Sequence, residues 1–185
     1  MSSTPPATRA DAVRNRERLL HVAADCFEQK GAAFSVDEVA ALAGIGTGTF
    51  YRNFPTKSAL LAALVAQQLD ALATGTVDDG DAGAAVLRFV AEAIAGSRRK
   101  HDLVVALEAA GYATAEEISE ASTRFRQRFG EVLTRAQAEG TIRADLGLED
   151  LLALLSAATA AAARRGSSAA AVAAVIGDGL RPQPI

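Results

Sequence analysis

Hydrogen-bond donors are concentrated in one short stretch of the sequence, TGTFYRNFPTK, which spans residues 47–57. Threonine and tyrosine hydroxyls donate to phosphate oxygens, an arginine guanidinium can donate two hydrogen bonds to guanine, and a glycine lets a helix N-terminus approach another molecule closely. These groups bind nucleic acid through non-covalent contacts. The candidate contacts to DNA are Ser35, Thr47, Gly48, Thr49, Tyr51, Arg52, Asn53 and Lys57.

Two short helices with a sharp corner between them are needed to position these donors. Ser35 followed by Glu38 predicts a capping box, in which the hydroxyl and the carboxylate each satisfy a backbone donor at a helix start. Gly44 is predicted to end this first helix, because glycine readily adopts the left-handed backbone of a helix terminus. The second helix is predicted over residues 47–53 and must end before Pro55.

Two phenylalanines are predicted to anchor the second helix. Phe50 and Phe54 lie four residues apart, so they can face inward together and leave the donors outside. Ile45 in the corner is expected to join the same core, and a helix over residues 11–30, with Phe27 on its buried face, is expected to support it. The alternative is an ordinary helical hairpin with a solvated outer face, but the cap, the corner, the phenylalanine pair and the proline together favour DNA binding.

Lys57 lies in the first turn of the next helix, which Thr56 is predicted to cap. A cation at this end of a helix opposes the helix dipole. The sequence therefore predicts that Lys57 binds an external anion.

The segment GIGTGTFYRNFPTKSALL, residues 44–61, resembles the end of the DNA-binding domain of the TetR family of transcriptional regulators. The shared pattern is an apolar turn residue, a Gly-Thr pair, an aromatic-Tyr-Arg triplet, Phe-Pro, a hydroxyl residue, Lys and two leucines. Gly46 stands where the family often has serine, and Asn53 stands where it often has histidine.

This resemblance implies an all-α protein with an N-terminal three-helix helix-turn-helix DNA-binding domain and a helical bundle that binds ligand and dimerises. Its implied partners are a double-stranded DNA operator, a second copy of the chain joined through the last two helices, and a small-molecule effector that releases a repressor. No cofactor and no metal site is predicted.

The rest of the chain is predicted to contain helix after helix without a strand. The spans are 56–74, 82–97, 102–110 and 114–139, followed by two alanine-rich helices within 148–180 that hinge at 166–168. The first of these helices runs on from the corner motif. It is therefore interpreted as a lever between the DNA-binding domain (the head) and the ligand-binding and dimerisation domain (the body). The domains are a flexible arm at 1–10, the DNA-binding domain at 11–57 and the ligand-binding and dimerisation domain at 58–185.

Three further local features are charged segments whose role has to be chosen between alternatives. Arg9, Arg14 and Arg16 can reach a phosphate backbone or simply be solvated. The acidic loop 75–83 is predicted to cap a helix, because it lacks the glycine and glutamate positions of a calcium-binding loop. The basic cluster 98–100 is predicted to close a helix C-terminus, where the dipole favours cations.

The alanine-rich helices present small side chains that allow close packing. Two such helices from each subunit can form a four-helix interface, which predicts a homodimer. A bundle that packs only within one chain is the alternative.

The large side chains of residues 82–139 are predicted to surround a mostly apolar cavity for the effector. The candidate ligand contacts are Phe89, His101, Val104, Leu107, Glu108, Tyr112, Arg124, Phe125 and Arg128.

Composition limits the other classes of function. Residues 1–57 carry a net charge of +1 and residues 58–185 a net charge of −4, so charge supports DNA binding only weakly. Cys26 is the single cysteine, is expected to be buried and cannot form an internal disulfide. With no signal peptide and no membrane span apparent, a cytoplasmic, nucleoid-associated protein is expected. Two histidines and one cysteine form no catalytic constellation, which argues against an enzyme; a protein-interaction module without DNA binding is the more serious rival.

Overall fold

The computed structural model describes residues 9–75, 80–109, 116–164 and 166–182. These residues form α-helices and one short 3-10 turn, Gly31–Ala33, and they contain no β-strand, which confirms the predicted all-α class. The helices are α1 (Arg9–Lys30), α2 (Val36–Leu42), α3 (Thr47–Asn53), α4 (Lys57–Gly75), α5 (Ala82–Ala95), α6 (Ser97–Ala109), α7 (Glu116–Ala138), α8 (Leu148–Ala162) and α9 (Ala169–Leu180).

The corner between α2 and α3 forms as the sequence predicts. Gly44 has a φ of +65°, a left-handed conformation that glycine adopts without steric cost. The amide of Ile45 donates to the Ala40 carbonyl at 2.9 Å, which closes the end of α2. Gly46 then takes the N-cap position of α3 in an extended conformation. The two helices are thereby fixed by backbone hydrogen bonds at the turn itself.

The carboxylate of the predicted capping box at the start of α2 is shared with a lysine. Ser35 Oγ accepts a hydrogen bond from the Glu38 amide at 3.1 Å, as expected. The Glu38 carboxylate accepts from Lys30 Nζ at the end of α1, and a backbone hydrogen bond to Ser35 is a smaller cause of its lowered pKa. The 3-10 turn lies between Lys30 and α2, and the contact joins the end of α1 to the first turn of α2. This contact lowers the pKa of Glu38 and raises that of Lys30.

The head core is the hydrophobic cluster that joins α1, α2, α3 and the start of α4. Phe34, Phe50 and Phe54 are fully buried in it, and Phe27 and Cys26 are nearly so, which confirms the predicted anchors. Burial raises the pKa of the Cys26 thiol.

Helix α6 contributes Leu103, Ala106 and Leu107 to the head core, although it lies far along the chain. The head is therefore packed against a helix of the body, and the domain boundary at residue 57 stays a prediction.

The body core is the second hydrophobic cluster, formed by α5, α7, α8 and the end of α9. Three aromatic rings lie at its centre: the centroid of Phe89 is 5.2 Å from that of Phe125 and 4.2 Å from that of Phe129. Helix α9 packs mainly along α5, and α4 packs along α7.

Two predicted boundaries are wrong. Helix α1 begins at Arg9, so the last two residues of the predicted arm are helical. Helix α6 begins at Ser97, which places the basic cluster 98–100 in a first turn instead of a last turn. The reason is that the break between α5 and α6 is a single residue, Gly96, whose amide still donates to the Glu92 carbonyl at 2.9 Å.

The acidic loop before α5 is described only from residue 80 onward. Asp81 Oδ1 accepts from the Ala84 amide at 2.9 Å, which confirms the predicted capping at that residue. Asp78 and Asp79 lie outside the described residues.

Candidate functional site

The outward surface of α3 carries the predicted donors. Thr47, Gly48, Tyr51 and Arg52 are exposed, while Thr49 is half-buried. Phe50 occupies the opposite face with 0% exposure, so α3 cannot rotate about its axis without breaking the head core. Burial on one side thus fixes which side chains face outward.

Tyr51 and Arg52 are the most prominent groups on this surface. The Tyr51 side chain is 50% exposed, and its ring meets Phe50 edge-on at a centroid distance of 5.5 Å. Within the described ranges, neither the Tyr51 hydroxyl nor the Arg52 guanidinium has a hydrogen-bond or ion-pair partner. Both remain available to an external acceptor such as a phosphate or a base edge.

Gly48 has no structural reason to be glycine. A Cβ added there would meet nothing within 4 Å, and its φ is not in the left-handed region. The absence of a side chain near the N-terminus of α3 therefore favours close approach by another molecule.

Asn53 and Arg16 form a local structural contact at the end of α3. Asn53 Nδ2 donates to the Thr49 carbonyl at 2.8 Å, and Arg16 Nη1 donates to the Asn53 carbonyl at 3.2 Å. The Arg16 guanidinium also lies 4.5 Å from the centroid of the Phe54 ring. Of the arginines near the N-terminus, Arg16 thus ties α1 to α3, and Arg14 pairs with Asp11.

Lys57 differs from its predicted role. Its Nζ donates to the Ala32 carbonyl at 2.6 Å and to the Phe34 carbonyl, and it lies 4.3 Å from the centroid of the Phe34 ring. The sequence favoured an external anion over a local role for this lysine, but the 3-10 turn brings two carbonyls to the start of α4. The contact of Lys57 with an external anion stays a prediction. Ser35 likewise has a structural role as the N-cap of α2, although it remains exposed.

A cavity of about 390 Å³ lies in the body between α4, α5, α7 and α8. Its walls are mostly apolar, with a few polar groups, as in many small-molecule sites. The lining residues are Gln68, Leu69, Ala71, Leu72, Phe89, Glu92, Ala93, Gly96, Phe125, Leu152, Leu155, Ser156 and Thr159.

The structure does not bring the predicted ligand contacts together. Of the predicted contacts that the structure describes, Phe89 and Phe125 line this cavity, while His101 and Val104 line a smaller one of about 170 Å³ beside it. Leu107 is buried in the head core.

The charged candidates do not line this cavity. Each of them is exposed or takes part in an ion pair. Arg124 Nε and Nη2 donate to Asp70 at 3.0 and 2.9 Å, which links α7 to α4 and raises the pKa of Arg124. Arg128 pairs with Glu131 at 3.0 Å, and Glu108 is exposed. Tyr112 lies outside the described residues.

Sequence reasoning missed the cavity walls supplied by α4 and α8. It placed the ligand only among residues 82–139, whereas Gln68, Leu72, Ser156 and Thr159 come from outside that range. One signal was available: Gln68 and Leu72 lie four apart, so a polar residue interrupts an apolar stripe of α4.

Comparison with known proteins agrees with the fold. A family model described as "Bacterial regulatory proteins, tetR family" matches residues 19–64. A second, described as "Transcriptional regulator SbtR-like, C-terminal domain", matches residues 81–182. An HTH-type transcriptional regulator of Staphylococcus aureus is 36% identical over 67 residues, 36% of this chain and 36% of that protein. The chain thus matches these curated relatives over about a third of their length.

Solved structures extend the similarity to the whole chain. The TetR transcription regulatory protein from Mycobacterium vanbaalenii is 35% identical, with 94% of this chain and 99% of that chain covered and a TM-score of 0.73. A TetR transcriptional regulator from Streptomyces coelicolor is 25% identical, with 91% and 99% covered and a TM-score of 0.73.

Fold and site together define a helix-turn-helix transcriptional regulator. The chain belongs to the TetR family, and its body is a C-terminal domain of the SbtR-like kind. That family is one of regulators and not of enzymes. Among the described helices, none is both long and apolar enough to span a membrane.

Proposed function

We propose that this chain is a homodimeric repressor that binds a palindromic DNA operator and is released when a small molecule fills the body cavity. The proposal rests on one observation: α3 turns outward the side chains of Tyr51 and Arg52, which have no partner among the described residues, while Phe50 and Phe54 fix its opposite face in the head core. Ser35, Thr47, Thr49, Asn53 and Lys57 border the same surface. The protein would act in the cytoplasm, on the nucleoid.

The dimensions of α3 suit a major groove. An α-helix with its side chains is about 10–12 Å across, and the major groove is about 12 Å wide. Helix α3 has seven residues and is about 10 Å long. So short a helix reads few base pairs alone. A two-fold dimer supplies a second one about 34–36 Å away, on the next turn of the duplex.

Helices α8 and α9 supply a surface for dimerisation. Leu154 on α8 is 43% exposed and Val175 on α9 is 71% exposed, among small side chains that allow close packing. Covering these apolar side chains with the same surface of a second copy would form a four-helix interface.

Helix α4 gives the cavity a physical route to the head. Gln68, Leu69 and Leu72 line the cavity, and α4 begins at Lys57, directly below α3. Helix α6 provides a second route, since His101 borders the smaller cavity while Leu107 packs in the head core. A ligand that favours another position of these helices would change the spacing of the two heads and weaken operator binding.

Selection of duplexes from a random pool by the purified protein tests the DNA-binding proposal. We expect a palindrome with half-sites one helical turn apart. Selection of no sequence, together with no retention of any duplex at low salt, would contradict the proposal and favour the protein-interaction module. A selected site without two-fold symmetry would contradict the dimeric reading mode alone.

A further inference from the structure

The charge of the body cavity restricts what it can bind. Among the described side chains that line it, Glu92 is the charged one, and neither lysine nor arginine is present. Glu92 is exposed, which places it at the rim, and within the described part of the chain it has no ion-pair partner. The remaining polar groups are the Gln68 amide and the Ser156 and Thr159 hydroxyls.

The smaller cavity continues the larger one, because Ser156 and Thr159 line both. Ser97 also lines the smaller cavity and is only 2% exposed. Together with His101, it offers hydrogen-bonding groups to a polar end of a ligand. None of the described residues that line this compartment is a lysine or an arginine.

We propose, on the basis of the function given above, that the effector is a small aromatic amphiphile that carries an amine. Its ring fills the apolar cavity against Phe89 and Phe125, and its protonated amine lies at Glu92. An alcohol of the same shape binds less tightly because it forgoes the ion pair. A carboxylate binds more weakly still, because it would lie beside the Glu92 carboxylate and no lysine or arginine is among the described lining residues to compensate its charge.

Calorimetric titration of the full chain, without DNA, tests this charge preference. The probes are 2-(2-naphthyl)ethylamine, 2-(2-naphthyl)ethanol and 2-naphthylacetic acid, which share one ring system. We expect the amine to bind tightest and the acid about tenfold or more weakly than the amine.

Glu92→Gln and Glu108→Gln form a matched pair, because each neutralises one exposed carboxylate and only Glu92 lines the cavity. Glu92→Gln should lower amine affinity about two- to fivefold, to the level of the alcohol, and leave alcohol affinity unchanged. Glu108→Gln should change neither.

Four results would overturn the proposal: the acid binding as tightly as the amine, none of the three probes binding, Glu92→Gln retaining full amine affinity, or Glu108→Gln lowering it. Operator release is measured separately. If the amine binds as expected but does not release operator DNA, the repressor proposal fails and the ligand assignment stands.

Discussion

Phenylalanine side chains have opposite roles in the head core and in the body core. Phe34, Phe50 and Phe54 in the head are fully buried and leave α3 a single orientation. Phe89 and Phe125 in the body pack against each other but also border a cavity of about 390 Å³. The three head phenylalanines are enclosed by their neighbours, whereas the body core leaves room for a further molecule beside Phe89 and Phe125.

This difference in packing makes the head core rigid and lets the body core respond to a ligand. A closely packed core resists deformation, so the donors on α3 keep their relative positions whether or not DNA is present. A core with unfilled space has apolar surface that a ligand can cover, and binding can then favour a different arrangement of its walls. Four measurements test this difference between the head and the body.

The largest expected effect is on stability. Phe50→Ala should lower the free energy of unfolding by about 3–5 kcal/mol, since it empties a fully packed site. Phe89→Ala should cost less, because one side of that ring already faces the cavity. Urea denaturation at one fixed protein concentration compares the two midpoints, and an equal loss would mean that the two cores do not differ in packing.

The next effect is on DNA recognition without a change in stability. Arg52→Ala should relax base preference at one position of the operator by about 1–3 kcal/mol and leave the unfolding midpoint unchanged. Arg128→Ala is the matched control, because it removes one exposed cation from the body, where it pairs with Glu131. If randomised-site selection yields the same motif for Arg52→Ala as for the natural chain, Arg52 does not read a base.

Replacing Gly48 should have a smaller effect, with opposite signs on helix stability and on operator affinity. Gly48→Ala should raise helix stability by up to about 1 kcal/mol, because alanine is the better helix former. It should nevertheless weaken operator binding in a gel-shift titration, since the new methyl group faces the DNA. Undiminished operator affinity in Gly48→Ala would remove Gly48 from the interface.

The smallest effect concerns pH. The hydrogen bond from Lys30 lowers the pKa of Glu38 from its ordinary value of 4.5, so the folded state favours the carboxylate. This contribution is present above that ordinary value and is lost as the pH falls through the lowered pKa of the folded state. Melting experiments at pH 6 and at a pH about two or three units lower test this contribution. The variant Lys30→Met should lose less thermal stability over that range than the natural chain. Parallel melting curves would show that the contact between α1 and α2 contributes nothing.

Arg143 and Asp145 provide the corresponding pair in the body. Arg143 donates to Asp145 Oδ1 and Oδ2 at 2.6 Å each and lowers the pKa of that carboxyl group. Replacing Arg143 by methionine in the same experiment shows whether acid acts on the two regions alike.

The α2–α3 corner could be predicted from the sequence almost to the residue. Its cap, its left-handed glycine and its inward phenylalanines act over three or four positions, and hydrogen bonds of that range are fixed by local spacing. The same reasoning missed the carbonyl partner of Lys57 at Ala32, which lies 25 residues away. It also missed the Lys30 partner of Glu38, which comes from a different helix.

The helical class, the corner motif and the side chains that α3 turns outward follow from the order of residues, since each depends on neighbours along the chain. Which residues form the cavity depends on how the helices pack. Gln68, Glu92, Phe125 and Ser156 come from four separate helices, and they meet because packing of the apolar faces of those helices brings them together.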